Sequence, residues 1–462
     1  MNASRNFKLA LPLLAAALSA CSFIPVHERP AAPVAEAFPQ AGTATGTPAA
    51  ALAWADFLAD ARLKALVDLA LLNNRDLRIA VLNVEQTRAQ LGLQRADQLP
   101  TLNVGAAASR APGSGGGTAS SYSLGLQVTA FELDLFGRVK SLSEAALARY
   151  LASDEGRRAA QAALVAGVAQ ADLALRADEQ LLALTQRTQA SREDALKLVQ
   201  LKFDGGAAAE PELRTAQSLV AAARVNVAAL QRQRSLDANA LTLLVGQPLP
   251  ATLPPAGDWA ALRLAELPAG LPSEVLLQRP DVRQAEQQLI AASANIGAAR
   301  AAFFPRISLT GSAGFASNQL SGLFDNTAWT FAGQLLQPIF DSGRNQANLD
   351  AAKAGRDIAV AQYEKVVQTA FREVADALAG RATLAEQLAA QQAQADAEAR
   401  RLELAELLYR GGVASQLDRL DAERSTLAAR QAVVQLQLAQ LQNAVQIYRV
   451  LGGGAPPVTA QR

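Results

Sequence analysis

Histidine and cysteine are almost missing from this 462-residue chain, which has one of each, His27 and Cys21. That scarcity excludes a His/Cys zinc cluster, an internal disulfide and most histidine-dependent chemistry. No phosphate loop, dinucleotide fingerprint or nucleophile elbow occurs, so an enzyme is the least expected reading, and no cofactor or metal is expected. An excess of one charge is lacking too. The 43 Lys+Arg against 42 Asp+Glu leave +1, so nothing points to nucleic acid or an acidic partner. Aromatics make up 5%, whereas half the residues are apolar and many of those are alanine, a composition suited to close-packed helices. No segment holds eighteen consecutive apolar residues, so no transmembrane helix is expected. A membrane crossing would then require β-strands, because only helices and closed barrels satisfy their backbone groups in lipid. Proline is absent from 137–203 and again from 339–409, in otherwise helix-forming sequence.

What is present begins at the N-terminus. Arg5 and Lys8 precede an apolar run over 9–18, then Ser19, Ala20 and Cys21, the layout of a secretory signal over 1–20. The string LSAC at 18–21 resembles the bacterial lipobox, which implies a covalent lipid on Cys21; the alternative is an ordinary signal with a chance cysteine. Ser22 follows, not the Asp that would retain such a protein at the inner membrane, so the resemblance implies an outer-membrane address. Residues 21–57 read as a lipidated N-terminus and tether, flexible to about Pro48 because of their Pro/Ala/Gly/Thr content.

The chain contains an internal duplication. NNRDLRIA at 73–80 matches QRPDVRQA at 278–285, an offset of 205 that also pairs Gly92 with Gly297 and Pro100 with Pro305. Gly137-Arg138 pairs with Gly343-Arg344 at an offset of 206, and the KFDGG/LYRGG and LLVG/RVLG strings keep that offset. Two repeats follow, 58–250 and 278–452, joined by an inter-repeat connection at 251–277 and followed by a tail at 453–462. Each repeat reads as a helix, two strands, a very long helix, a Gly-Gly turn and a return helix. The opening helix is expected over about 60–98, ending before Pro100.

The strands alternate. Leu102, Val104, Ala106 and Ala108 lie on one side of the first, and Tyr122, Leu124, Leu126 and Val128 on one side of the second. Ile307, Leu309, Gly311 and Ala313, then Trp329, Phe331, Gly333 and Leu335, repeat the pattern. About ten residues of alternation suits a membrane barrel strand, although a soluble hairpin with one buried face shares it. Four strands cannot close a barrel and open edges cannot face lipid, so the chain must oligomerise. A dimer would give eight strands with a filled interior, whereas a trimer gives twelve and a lumen, the expectation for a conduit. The long helix over 139–203 would run roughly 100 Å, far beyond a membrane core of ~30 Å. Steps of 4 and 3 from 164 to 203 read as a leaky heptad seam, broken at Asp178 and Gln189. Gly137 and Gly343 are expected to permit the bend where barrel meets helical tunnel.

At this level the sequence resembles the TolC-like outer-membrane efflux proteins, specifically their lipoprotein branch. WADFLADARLKALVDLALLNNRDL at 54–77, the string LPAGLPSEVLLQRPDVRQAEQQLIAASANIGAARAAFFPRISLTGSAGF at 267–315 and ELDLFGR carry the resemblance. It implies an α+β membrane protein: a trimeric 12-stranded barrel on an α-helical periplasmic tunnel, in the outer membrane of a Gram-negative bacterium. It also implies docking to a periplasmic adaptor and an inner-membrane efflux transporter, with passive exit of drugs and other small molecules. The family's tunnel closes at the turns between long and return helices. By resemblance, Tyr409 and Arg410 are constraining links and Asp421 a lumen-facing carboxylate ring, with Asp418 on the same helix face. The first turn carries Glu210 and Glu212 but lacks the paired Asp. On spacing alone, Asp418 and Asp421 could equally be a solvated helix face with Asp421 paired to Arg424. Two alternatives remain for the whole chain: a duct for secreted proteins, or a periplasmic coiled-coil scaffold.

Overall fold

The computed structural model describes residues 23–39, 49, 52–112, 117–265, 267 and 273–454. Cys21, the signal segment before it and the tail after 454 lie outside them. A turn of helix, α1 (Trp54–Phe57), leads to α2 (Ala61–Asn73) and α3 (Arg75–Ala96). Strands β1 (Leu102–Pro112) and β2 (Thr118–Leu133) follow, then α4 (Arg138–Asp204) and α5 (Glu210–Val245). The second half repeats the order with α6 (Pro280–Ala301), β3 (Arg306–Ser317), β4 (Thr327–Leu336), α7 (Arg344–Arg410) and α8 (Gln416–Val450). Two short 3-10 turns, Trp259–Ala261 and Ser273–Gln278, lie in the connection between the halves. Helices α4 and α7 are each 67 residues long, and both their ends are 206 apart in sequence. The repeat is therefore structural.

The chain divides into two compact units. One comprises Met1–Ala32, Val81–Glu155 and Arg283–Val366; the other comprises Pro33–Ala80, Gly156–Val282 and Val367–Arg462. The first holds one antiparallel sheet in the order β1-β2-β3-β4, so the two hairpins join through β2 and β3. The second holds most of the helical packing.

The expected single helix over 60–98 is two helices. Asn74 is extended at the break, where its side chain accepts the Leu77 amide at 2.8 Å and so caps α3. The same side chain donates to the Leu244 carbonyl at the end of α5, 2.9 Å away. In the second repeat Arg279 occupies the corresponding place and donates to the Val450 carbonyl at 3.0 Å. Both return helices thus have a C-terminal carbonyl satisfied from the equivalent position, by an amide in one repeat and a guanidinium in the other. Gly246, which ends α5 at φ +79°, lies so close to Asn73 that an added Cβ would be 2.4 Å from its carbonyl oxygen.

The described part of the N-terminal segment is docked, contrary to the expected flexible tether. Phe23 stacks on Phe304 with centroids 4.8 Å apart, and Phe38 stacks on Phe371 at the same spacing. Arg29 holds Glu286 through two nitrogens, at 2.8 and 3.1 Å. Composition signalled flexibility, but two aromatics and one arginine anchor residues 23–39.

The heptad seam is also too narrow a description of α4. Val165, Ala166, Ala169, Leu173, Ala177 and Leu181 are as buried as the seam residues Leu164, Val168 and Leu175, so neighbours enclose this stretch on more than one side. A charge cluster lies within it. Asp172, fully buried, meets Arg176 at 2.7 Å and Arg62 at 3.1 Å, while Arg176, 4% exposed, meets Asp60 at 2.8 Å. Asp60 is at the same time the N-cap of α2, accepting from the Leu63 amide at 2.9 Å. Burial pushes the Asp172 carboxyl upward, while the two guanidiniums pull it back. A buried pair broken from one side leaves an uncompensated charge, which costs ~3–5 kcal/mol. Asp172→Ala should therefore lower unfolding stability by about that amount in a denaturation experiment. A change within ~0.5 kcal/mol, the range of an ordinary surface substitution, would show that the cluster does not tie α2 to α4.

The seam break at Asp178 has a partner on α5. Burial, the hydrogen-bonding contact with Asp237 and that residue's charge together push Asp178 up to about 7. Asp237 also accepts from Gln233 at 3.1 Å, and Glu179 pairs with Arg234 alongside at 2.9 Å. The folded chain holds this proton more tightly than the unfolded chain, whose carboxyl titrates near its ordinary value. The contribution of this pair to stability should accordingly fall as pH rises from about 4 to about 7. Thermal melting across that interval should show the slope, and Asp178→Asn should flatten it. An identical pH profile in the variant would remove the shared proton.

Candidate functional site: sheet faces and helix tips

Strand register assigns each residue to a face of the sheet. On one face Leu102, Val128, Gly311 and Phe331 form a row across the four strands, and Val104, Leu126, Ala313 and Trp329 form the next. Trp329 is 79% and Val104 76% exposed, so these two rows lie open on the described chain. On the other face the rows are Asn103-Gln127-Ser312-Thr330 and Gly105-Gly125-Gly314-Ala328. Ser312 and Thr330 share a hydrogen bond of 2.7 Å across the strands. An apolar outer face with a small, polar inner one is the two-sided pattern of a transmembrane barrel wall. A bulge between Val128 and Phe131, with Ala130 at φ +50° and its amide bonded to Thr310 Oγ1, returns Phe131 and Leu133 to the apolar face.

Each sheet hairpin feeds a long helix through a glycine in the left-handed region, Gly137 at φ +71° and Gly343 at φ +81°. Only glycine adopts that backbone without a Cβ penalty. Asp134 accepts the Lys140 amide at 2.7 Å and Asp341 accepts the Asn345 amide at 2.9 Å, so a carboxylate caps both helix starts. Arg138 then grips Glu132 at the end of β2 through two bonds of 2.7 and 2.8 Å. Phe136, just after β2, stacks on Phe304, just before β3, and Phe304 in turn stacks on Phe23. The described chain therefore begins at the strand-to-helix junction.

At the far ends of α4 and α7 the two Gly-Gly turns close alike. Ala207 N donates to the Lys202 carbonyl at 2.7 Å and Val413 N to the Leu408 carbonyl at 2.9 Å, with Gly206 and Gly412 at φ +71° and +72°. These are Schellman closures. Among the gate candidates, Tyr409 lies under the Arg419 guanidinium, 5.6 Å from its ring centroid. Arg410 is 80% exposed with Glu406 3.9 Å away.

The two aspartates have different partners. Asp418 accepts from the Ser415 amide at 3.0 Å and hydroxyl at 2.6 Å, while its own amide donates to Ser415 Oγ at 3.2 Å. That capping box holds its carboxyl below the ordinary range. Asp421 meets Arg401 of α7 at 3.2 Å and Arg424 at 2.7 Å, and these two guanidiniums hold it low as well. The Asp421–Arg424 pair is the one that spacing allowed. The capping box was legible as S-x-x-D at 415–418 and went unrecognised. Arg401 had no such signal, because it reaches Asp421 only through the packing of α7 on α8. In the first turn Glu210 pairs with Arg214 at 2.9 Å. No group of His, Cys, Asp and Glu suited to a metal occurs among the described residues, and none of the described helices is long and apolar enough to cross a membrane.

Comparison with known proteins agrees with this geometry. The model of the outer membrane efflux protein family matches residues 66–247 and 271–453, one segment per repeat. The solvent efflux pump outer membrane protein SrpC of Pseudomonas putida is 45% identical, over 96% of this chain and 98% of its own length. OprJ, an outer membrane protein of Pseudomonas aeruginosa, is also 45% identical, over 97% of this chain and 96% of its own. Among solved structures, the open state of the Neisseria gonorrhoeae MtrE outer membrane channel superposes with a TM-score of 0.88 at 42% identity, covering 95% of this chain and 99% of that one. With a channel fold, a two-faced strand sheet and relatives matching along its whole length, the chain belongs to the outer membrane efflux protein family.

Proposed function

We propose that three copies of this chain form the exit duct of a tripartite efflux pump, with the twelve strands closed into one barrel and the long helices into a periplasmic tunnel. The unpaired edges β1 and β4 of a sheet whose apolar face is bare carry this reading, since lipid tolerates no open edge. The helical surface supports it. Val225, Leu236 and Leu243 of α5 are 67%, 53% and 79% exposed and lie on one helical stripe, a surface fit for a second copy. A periplasmic adaptor and an inner-membrane transporter are the remaining partners, and small apolar compounds of the solvent or antibiotic type are the cargo, by likeness to SrpC and its relatives. Asp421 contributes a carboxylate ring at the closed tip, Asp418 braces the helix start beside it, and Tyr409 and Arg410 link neighbouring tips.

The test combines mass and conductance. The detergent-extracted protein should have the mass of a trimer and should form channels in a planar bilayer. Asp421→Asn should raise single-channel conductance and weaken cation selectivity, and Tyr409→Phe with Arg410→Ser should raise conductance. A monomer that inserts would contradict the closure argument. Unchanged conductance in an inserted trimer would reduce Asp421 to the link it makes between Arg401 and Arg424 within one chain.

A covalent lipid on Cys21 completes the reading. Phe23, two residues later, is stacked on Phe304 and its carbonyl accepts from Arg300 at 3.1 Å, which ties the start of the described chain to the strand ends. An acyl chain there would enter the adjoining leaflet. Cys21→Ala should abolish palmitate labelling while leaving channel formation intact, and labelling that persists in the variant would refute the assignment.

A further inference from the structure

A long cleft runs along the helical unit within a single chain. It encloses about 1060 Å³ between α4, α7, α8 and the connecting segment around Trp259, all from one chain. That volume suits an organic ligand, for which pockets of ~300–1,000 Å³ are usual. The connecting segment is held across it. Gln437 of α8 donates to the Trp259 carbonyl at 2.9 Å, and Arg381 of α7 donates to the Leu267 carbonyl at 2.8 Å. Leu184, Leu388, Val434 and Leu441 supply apolar wall.

The charges are one-sided. Four guanidiniums, of Arg187, Arg263, Arg381 and Arg430, line the cleft with a single carboxylate, Asp396. The chain as a whole is balanced at 43 basic against 42 acidic residues, so this excess is local. Among the described residues Arg263 donates to the Ala260 and Leu262 carbonyls, at 2.9 and 2.8 Å. The four guanidiniums lie on the open side of the cleft, exposed, and none of them forms an ion pair with a described residue. Gln431 Nε2 donates to Thr185 Oγ1 at 3.4 Å, which brings the Arg430 and Arg187 segments of α8 and α4 together at one end of the cleft.

We propose that this cleft binds an amphipathic anion, with a carboxylate-class head between Arg187 and Arg430 and an apolar body laid along the leucine and valine wall toward Trp259. Guanidinium recognises such a head through paired, charge-assisted hydrogen bonds. A cationic amphiphile of the same length meets four like charges and is excluded. The occupant braces the connecting segment against three helices.

Sodium dodecanoate, titrated onto the assembled protein in lipid nanodiscs, tests the site through tryptophan fluorescence. The chain has three tryptophans, so Trp259→Phe isolates the local signal. The expected result is a saturable change that Trp259→Phe removes. Arg187→Gln with Arg430→Gln should weaken it at least tenfold at unchanged helical circular dichroism, and dodecyltrimethylammonium should not compete. Equal binding of the cation, a response that survives Trp259→Phe, or undiminished affinity in the double variant overturns the site. Bilayer conductance of the same preparations, measured separately, shows whether the duct is intact whichever result is obtained.

Discussion

Backbone pairing at the sheet edges is the constraint on which this architecture depends. β2 and β3 are paired on both sides, but β1 and β4 each present a free row of N–H and C=O groups. In hydrocarbon such groups cost several kcal/mol each, far more than a single chain of this size could offset. The apolar rows through Trp329 and Val104 commit the sheet to lipid, and the free edges then commit the chain to copies of itself. Once strands must be supplied by several chains, the helices that follow them are placed side by side as well. Exposed leucines and valines on α5 follow from the same geometry.

The duplication works because one scaffold position can be filled by different chemistry. Asn74 and Arg279 differ in size and charge, yet each bonds the last carbonyls of its own return helix. Arg279 is buried, so its charge must be balanced, and Asp281 at 2.6 Å and Glu373 at 2.8 Å balance it. Asn74 carries no charge and has no such retinue. The first repeat has its ionic cluster elsewhere, around Asp172 and Arg176, where the second repeat is apolar at Leu378. Equivalent packing has therefore been reached by unlike polar networks, which argues that helix length and turn geometry, and not particular ion pairs, define the repeat.

Much of this was legible in the chain alone. Glycine and proline positions set the two offsets, and period-two alternation located all four strands, because both signals are local. Features made by tertiary contact were not legible. The helix break at Asn74 was readable as an N-cap, with Asp76 in the first turn, but apolar periodicity across it concealed the interruption. Residues 23–39 were misjudged because composition averages over residues, while two phenylalanines and Arg29 anchor this part. Asp418 was grouped with Asp421 on spacing, although a serine three residues earlier claims it. Arg401 was invisible from sequence, being twenty residues from its partner.

Charge is distributed unevenly between the sheet and the helix ends. The small-residue face of the sheet, from Asn103 through Gln127 and Ser312 to Thr330, carries no formal charge in its central rows. Side chains such as these hydrogen-bond to water and to solutes of either sign without preference, and the glycine row beside them leaves space. The α7–α8 end is the opposite, with Arg401 paired to both Glu398 and Asp421, and Asp421 also to Arg424. Fixed charges discriminate between ions, whereas an uncharged polar wall mainly keeps the passage wet. Fixed charge is thus concentrated near the α7–α8 turn, while the central rows of the polar sheet face carry none.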